Sequence, residues 1–272
     1  MKINSLLRHK RKIVMNVKSL QIIYLFFLVI LLVSCDPIDR INIPSGGVAI
    51  TFDDAYIDEW YNVHNILKKY NWRATFFVSQ FHKLDSCQIE KLRVLKEYGH
   101  EIGGHGLNHF RANDYVQDNG IDAYLENEIY PMKEIMAKNG FNITSFAYPQ
   151  GARNNKSDIE LLKEFKVIRA GTRRHWKTSI RRRIEMIRCR SCFPNLLYGI
   201  GIDNNYEIDM PNIKSLMENA RNKNTVVLFL THKPVEVVDG NYQIEYQRLI
   251  EICEYINKNN MRFMLISDLY EK

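Results

Sequence analysis

Two groups of side chains capable of chemistry follow short apolar runs. Asp53 and Asp54 come directly after one such run, and His105 and His109 follow another. Adjacent carboxylates after a buried strand repel each other and are costly to desolvate, so a bound cation would remove the difficulty. The two histidines are four residues apart, which on one helical turn places both imidazoles on the same side. One carboxylate and two imidazoles predict a catalytic metal site, because a coordination position stays open for water.

Two further groups stand at comparable positions. His232 follows the apolar run 226–230, and the string from Tyr148 to Gly151 follows another. In a β/α barrel, reactive side chains lie at the carboxyl ends of the strands, because the loops there converge on one mouth. Taken singly, each group is also compatible with a surface turn or a hydrogen-bonded histidine. Their joint placement favours one reaction centre.

The elements that must position these residues form a β/α pattern. Short β-branched or aromatic runs alternate with longer segments of helical period, which is typical of a parallel sheet or barrel. Strands are predicted at 48–52, 75–79, 101–104, 144–148, 167–170, 225–230 and 262–267. Helices are predicted at 58–70, 86–98, 121–138, 157–164, 213–222 and 245–257. The stretch 171–206 has no clear periodicity, so it is either functional decoration or holds an element that the pattern does not show.

The amino terminus differs from the rest of the chain. Residues 1–34 carry six Lys and Arg, no acidic residue, and an uncharged apolar run at 20–33, which is the layout of a secretory signal. The run ends in Leu-Val-Ser-Cys, which resembles a bacterial lipobox and makes Cys35 the expected lipidation site and mature amino terminus. An uncleaved transmembrane anchor is the alternative. Both interpretations place the remainder outside the cytoplasm, with 35–45 as a linker and 46–272 as one domain.

Charge and cysteine content bound the partners. The chain has 38 Lys and Arg against 31 Asp and Glu, and without residues 1–34 the numbers are 32 and 31, so no nucleic-acid partner is expected. The basic stretch 169–190 is either a solvated surface or a rim that holds an anionic glycan or a phosphate-rich surface. Cys87, Cys189, Cys192 and Cys253 could form disulfides in an oxidising compartment, with connectivity left open. The oligomeric state is not indicated.

Three strings in the sequence resemble one family. They are Ala49-Ile50-Thr51-Phe52-Asp53-Asp54, then Ala74-Thr75-Phe76-Phe77-Val78, and Gly99-His100-Glu101-Ile102-Gly103-Gly104-His105 followed by His109. Together they closely resemble the NodB-homology polysaccharide deacetylases, carbohydrate esterase family 4, over essentially residues 46–270. The resemblance implies a distorted (β/α)7 barrel, in agreement with the seven predicted strands.

The resemblance also implies roles for individual residues. Asp54, His105 and His109 would bind a divalent metal, usually zinc, and Asp53 would act as general base toward the attacking water. The backbone N–H of Gln150 would stabilise the oxyanion. His232 would protonate the leaving group.

Further residues are expected to contact the substrate, in a chain that departs from the family at several points. Tyr148 and Trp176 are the candidates for that contact. The family's Arg-Pro-Pro-Tyr-Gly motif reads Ala-Tyr-Pro-Gln-Gly here, so the arginine that orients the base is absent, and Arg169 or Arg173 is the candidate to replace it. The Asp-Trp pair that tunes the catalytic histidine is not recognisable, although Trp176 is a candidate hydrophobic substitute. His232 follows a Thr instead of the usual Leu, which predicts a register shift or bulge.

Three functions remain open on the sequence. The first is a metal-dependent hydrolase that removes N- or O-linked acetyl groups from a polysaccharide. The second keeps the metal site but hydrolyses another amide bond, including cyclic ones. The third is a catalytically degenerate glycan-binding protein of the envelope, favoured by the missing arginine and opposed by the intact Asp53.

Overall fold

The computed structural model describes residues 45–171, 188–189 and 193–270. The strands in these ranges are Gly47–Asp54 (β1), Thr75–Val78 (β2), Glu101–Gly104 (β3), Ser145–Ala147 (β4), Val167–Gly171 (β5), Arg188–Cys189 (β6), Phe193–Gly201 (β7), Val226–Thr231 (β8), Lys233–Val235 (β9), Gln243–Glu245 (β10) and Arg262–Met264 (β11). The α-helices are Ile57–Leu67 (α1), Ser86–Glu97 (α2), Ala112–Asn119 (α3), Ile121–Tyr124 (α4), Tyr130–Lys138 (α5), Asn155–Glu164 (α6), Met210–Asn222 (α7) and Tyr246–Lys258 (α8). A π-helical segment, Leu125–Ile129, joins α4 to α5.

Seven parallel strands of the described chain close into a barrel. The order is β1, β2, β3, β4, β5, β7 and β8, and β8 returns to pair with β1 from Gly47 to Phe52. Every neighbouring pair in this ring is parallel, as right-handed β/α connections require. The predicted (β/α)7 barrel is therefore confirmed.

One of the seven predicted strands is not a strand of the closed barrel. The strand predicted at 262–267 is the short β11, which pairs only with the first residues of β1, beside the point where β2 takes over. The seventh barrel strand is instead β7, which lies inside the stretch 171–206, where the sequence showed no clear periodicity. The alternation of side chains with a period of two residues is obscured there by Pro194, Gly199 and Gly201, residues that usually interrupt strands.

Alternation along β1 divides its residues between two layers. Val48, Ile50 and Phe52 belong to the large apolar layer between the sheet and the helices. Ala49 belongs to the small apolar cluster of the barrel interior, together with Phe77, Ala147, Leu197 and Leu228. Because side chains alternate in direction, Asp53 shares the inward direction of Ala49 and lies near the carboxyl end of the strand. The fold thus places one carboxylate at the top of the barrel interior.

The helices pack around the barrel by their apolar faces. Helix α1 buries Trp60, Val63 and Leu67 at the spacing that predicted it. Helix α3 was not predicted, because only Ala112 and Val116 of its eight residues are buried. The remaining predicted helices are present, with ends displaced by up to three residues.

Several predictions lie outside the described residues. They concern the signal segment 1–34, the lipidation site Cys35, nearly all of the linker 35–45, and Trp176 and Arg173 in the basic stretch. Within the part of the chain that is described, no helix has the length and apolar character needed to cross a membrane. Cys87 and Cys253 are free thiols, and burial raises the pKa of the Cys253 thiol to about 12.

Candidate active site

Asp54, His105 and His109 meet at the mouth of the barrel. Oδ1 of Asp54 lies 3.6 Å from Nε2 of His105 and 3.2 Å from Nε2 of His109. The two Nε2 atoms are 3.3 Å apart. Ligand atoms placed about 2.0–2.1 Å from a tetrahedral zinc ion are separated by about 3.3 Å, so the three distances fit one such ion. Among the described residues, these three are the group able to hold a metal.

The protonation of this group also suits a metal. Nδ1 of His105 donates a hydrogen bond of 2.8 Å to the carbonyl oxygen of Ala147, which fixes the ring with Nε2 toward Asp54 and leaves Nε2 as the atom that would bind a metal once it is deprotonated. Burial alone would raise the pKa of Asp54, but hydrogen bonds from the two imidazoles hold that pKa well below its usual range. The carboxylate is therefore ionised, as a metal ligand must be.

Asp53 has a different partner from its neighbour. Its carboxylate forms an ion pair with the guanidinium Nη2 of Arg169, and both side chains are almost completely buried. Arg169 comes from the inward face of β5 and packs over the ring of Phe77, with 5.1 Å from its Cζ atom to the ring centroid. Arg169 thus occupies the role for which the sequence offered two candidates. It lies neither on a solvated surface nor on a rim, the two interpretations of the basic stretch.

The backbone at the mouth is strained at several non-glycine residues. Asp54, His109 and Gln150 have φ angles of 83°, 66° and 56°, in the left-handed region that costs such residues about 1–3 kcal/mol each. Residues in such conformations cluster at functional sites, where the surrounding structure holds them in place. The strain falls on two candidate metal ligands and on the candidate oxyanion residue.

His232 is paired with an aspartate that the sequence did not identify. Its Nδ1 donates a 2.6 Å hydrogen bond to Asp203, whose other carboxylate oxygen accepts from the backbone N–H of His232 and from the hydroxyl of Thr231. Burial disfavours the imidazolium, but Asp203, together with the charges of Asp53 and Asp54, raises the pKa of His232. With Nδ1 held by Asp203, Nε2 is the ring atom left to exchange a proton, and the raised pKa favours its protonated form.

No bulge is needed to place His232. Strand β8 pairs with β1 without a register shift up to Thr231, and the carbonyl oxygen of His232 accepts a 3.0 Å hydrogen bond from Nε1 of Trp60. The predicted irregularity was wrong, because His232 lies just beyond the strand end and is aimed by Asp203 and Trp60.

Sequence comparison with known proteins agrees with this geometry. Residues 41–167 match the polysaccharide deacetylase family, described as "Polysaccharide deacetylase". This range contains β1 to β4 with Asp53, Asp54, His105 and His109. The match covers 127 of the 272 residues, so this part of the chain is similar to polysaccharide deacetylases.

Curated relatives match this chain over part of its length. A peptidoglycan-N-acetylglucosamine deacetylase from Bacillus cereus is 41% identical over 93 residues, which are 34% of this chain and 40% of the relative. The putative polysaccharide deacetylase YxkH from Bacillus subtilis is 29% identical over 115 residues, 40% of this chain and 39% of the relative. The chain therefore spans about two fifths of the length of these relatives.

Solved structures share the fold over most of the chain. A mutant of the peptidoglycan deacetylase PdaC from Bacillus subtilis aligns with a TM-score of 0.52, 17% identity, and coverage of 86% of this chain and 92% of that one. The catalytic domain of a peptidoglycan N-acetylglucosamine deacetylase from Eubacterium rectale aligns with a TM-score of 0.50 and 17% identity. The alignment covers 87% of this chain and 96% of that one. At this identity the likeness establishes the polysaccharide deacetylase fold.

Gln150 and Tyr148, the predicted oxyanion donor and a predicted substrate contact, have different surroundings. Gln150 lies at the mouth on the loop after β4, and its side-chain oxygen accepts a 2.8 Å hydrogen bond from Nη1 of Arg111. Tyr148 is fully buried, and its hydroxyl donates to Asp158 at 3.0 Å. A substrate contact at Tyr148 is therefore not supported, because the side chain has no exposed surface.

Two histidines outside the candidate metal group, His64 and His100, form a separate pair. Nδ1 of His64 lies 2.9 Å from Nε2 of His100, and Nδ1 of His100 accepts a 3.0 Å hydrogen bond from the backbone N–H of Ala74. Burial and nearby positive charge lower the pKa of His100 to about 3, so this ring is neutral at physiological pH. The pair has a structural role beneath α1.

Proposed function

We propose that this chain is a metal-dependent hydrolase that removes acetyl groups from an acetylated polysaccharide. The observation that carries the proposal is the separation of the two adjacent aspartates. Asp54 faces two imidazoles at the spacing of a tetrahedral site, whereas Asp53 is turned to Arg169. A site that only held metal would have little use for the second, unliganded carboxylate.

The proposed metal is zinc, held by Asp54, His105 and His109. One carboxylate and two imidazoles are ligands that zinc accepts, and a position remains for water or substrate. Bound there, the ion would supply a Lewis acid that polarises the acetyl carbonyl and makes water a better nucleophile.

The remaining residues handle the protons. Asp53, oriented by Arg169, is the proposed base that takes the proton from the attacking water. His232, oriented by Asp203, donates the proton from Nε2 to the departing amine or alkoxide as the bond to the acetyl carbon breaks. The backbone N–H of Gln150 is the proposed oxyanion donor. The products are acetate and the deacetylated sugar, and exchange with solvent then removes the proton from Asp53 and restores the one on His232.

The alternative of a degenerate binding protein loses its main support. That alternative rested on the missing arginine of the strand-4 motif, and Arg169 occupies the corresponding place beside Asp53. Hydrolysis of another amide bond would use the same residues. It differs from deacetylation only in the substrate, so a substrate panel distinguishes the two.

The names of relatives narrow the substrate proposal. A curated relative and a structural neighbour are named as N-acetylglucosamine deacetylases of peptidoglycan, which favours an N-acetylated glycan of the cell envelope. The envelope location is proposed from the amino-terminal sequence alone, with Cys35 as the lipid attachment site on the membrane.

The experiment is a substrate panel with the zinc-loaded full chain purified in detergent. The panel contains N-acetylglucosamine oligomers, peptidoglycan, O-acetylated xylan and a cyclic amide. Acetate release from the N-acetylated glycans is expected. Turnover of the cyclic amide without acetate release from any glycan would replace the deacetylase proposal by the amidase alternative.

A further inference from the structure

The loop that carries both histidines of the candidate metal site rests on one buried carboxylate. Glu128 lies in the π-helical segment Leu125–Ile129 and is fully buried. It contacts neither Asp54 nor the imidazoles. A fully buried carboxylate is costly unless hydrogen-bond donors surround it, so its partners explain its presence.

Those partners are backbone N–H groups of the histidine loop. Oε2 of Glu128 accepts from the N–H of Asn108 at 2.8 Å and from its side-chain amide at 3.1 Å. Oε1 accepts from the N–H of Phe110 at 2.9 Å, and the N–H of His109 also bonds to this carboxylate. Three consecutive N–H groups thus converge on one side chain, an arrangement that binds anions strongly.

The loop conformation is built to meet this carboxylate. His109 adopts a left-handed φ of 66°, which turns successive N–H groups to one side. At Gly106, φ is 86°, and a Cβ atom would lie 2.4 Å from Oε1 of Glu128. The main-chain carbonyl of Glu128 also accepts from the N–H of Leu107 at 3.3 Å. Glycine at 106 therefore leaves the space that the Glu128 carboxylate occupies against the loop.

We propose that Glu128 is the positioning residue of the metal site: its carboxylate holds the loop 105–110 in the conformation that brings His105 and His109 to Asp54. The inference rests on the proposed metal site. π-Helical turns are frequent at functional sites, and this one places Glu128 toward the loop. Groups that orient metal ligands typically contribute 10- to 100-fold to metal affinity.

The first test measures zinc affinity of the full chain by competition with a chromophoric chelator. Glu128→Gln preserves the shape but places an amide N–H₂ against backbone N–H donors. We expect zinc binding to weaken by about 10- to 100-fold and the visible spectrum of the cobalt(II) form to change. Glu126→Gln, in the same π-helical segment but exposed, is the matched control and should leave both readouts unchanged.

The second test approaches the same contact from the loop. Gly106→Ala should weaken zinc binding to a similar extent, because its Cβ meets Glu128. Gly120→Ala places alanine at a similar positive φ, 88°, but with open space around the new Cβ, and should bind zinc as the parent does. Neither readout depends on acetate release, so failure here is distinct from failure of the proposed function.

The outcomes divide as follows. Folded Glu128→Gln and Gly106→Ala variants with weakened zinc binding support the positioning role. Folded variants with parental zinc affinity and an unchanged cobalt spectrum overturn it. Should neither variant fold while both controls do, Glu128 has a purely structural role and the proposal is equally overturned.

Discussion

At the residue scale, the two adjacent aspartates differ because the backbone changes conformation at Asp54, the last residue of β1. Asp53 still follows the inward alternation of β1 and meets Arg169 inside the barrel. Asp54 adopts a left-handed backbone and points its carboxylate at His105 and His109. One turn of the chain thus supplies a carboxylate for the proposed metal and another for proton transfer.

The pH dependence of activity tests the pairing of His232 with Asp203. The protonated imidazole is the proposed acid, so activity should fall as pH rises through the pKa of His232. Asp203 raises this pKa. In Asp203→Asn we therefore expect the alkaline limb of the profile of kcat/KM against pH to move to lower pH.

Asp239→Asn is the control for that profile. Asp239 is an exposed carboxylate on the loop between β9 and β10, and its neutralisation should leave the alkaline limb in place. An unmoved limb in Asp203→Asn would remove His232 from the role of acid.

The role of Arg169 can be separated from its contribution to stability. Arg169→Gln leaves Asp53 buried without its cation, and we expect kcat to fall by about 100-fold with zinc content unchanged, because the base loses its orientation. Arg153→Gln breaks the ion pair with the buried Asp158, in which Asp53 takes no part, and should reduce stability with little change in kcat. Equal kcat values for the two variants would contradict the role assigned to Arg169.

The sequence predicted the parts of the site that are local in the chain. Asp53, Asp54, His105 and His109 lie in short motifs whose spacing is itself informative. Asp203 was missed because its contact with His232 spans 29 residues and its own surroundings, Ile-Asp-Asn-Asn, resemble a turn. The resemblance suggested Arg169 as one of two candidates, but the choice required the barrel.

At the element scale, β7 closes the barrel despite a sequence that does not resemble a strand. Its glycines are required by close approach: a Cβ at Gly199 would lie 2.8 Å from the Leu228 side chain, and one at Gly201 would lie 2.4 Å from the Tyr206 ring. Sequence patterns assign such glycines to loops, since the neighbours that demand them are distant in the chain.

Leu197→Ala tests whether β7 is one of the strands of the barrel. Leu197 is fully buried in the barrel interior, and its truncation should reduce the free energy of unfolding by about 2–5 kcal/mol in a urea titration. Ile159→Ala, on the exposed face of α6, should change stability by less than about 0.5 kcal/mol. Similar values for both variants would place Leu197 outside the core.

At the scale of the whole molecule, the proposed membrane attachment and the proposed chemistry depend on different parts of the chain. The barrel carries the proposed chemistry, whereas Cys35 is the proposed site of lipid attachment. We expect Cys35→Ser to abolish incorporation of an alkyne-labelled fatty acid in cells, while Cys87→Ser, at an exposed free thiol, retains it. Labelling that persists in Cys35→Ser would exclude this cysteine as the attachment site.

The most direct test measures bound zinc and released acetate in the same preparations. Asp53→Asn should keep its zinc and lose about 10²- to 10⁴-fold in kcat on N-acetylglucosamine oligomers, because only proton transfer is removed. Asp54→Asn should lose zinc and acetate release together. If Asp53→Asn releases acetate at the parental rate with zinc bound, Asp53 is not the base, and the account of this site as a deacetylase centre is contradicted.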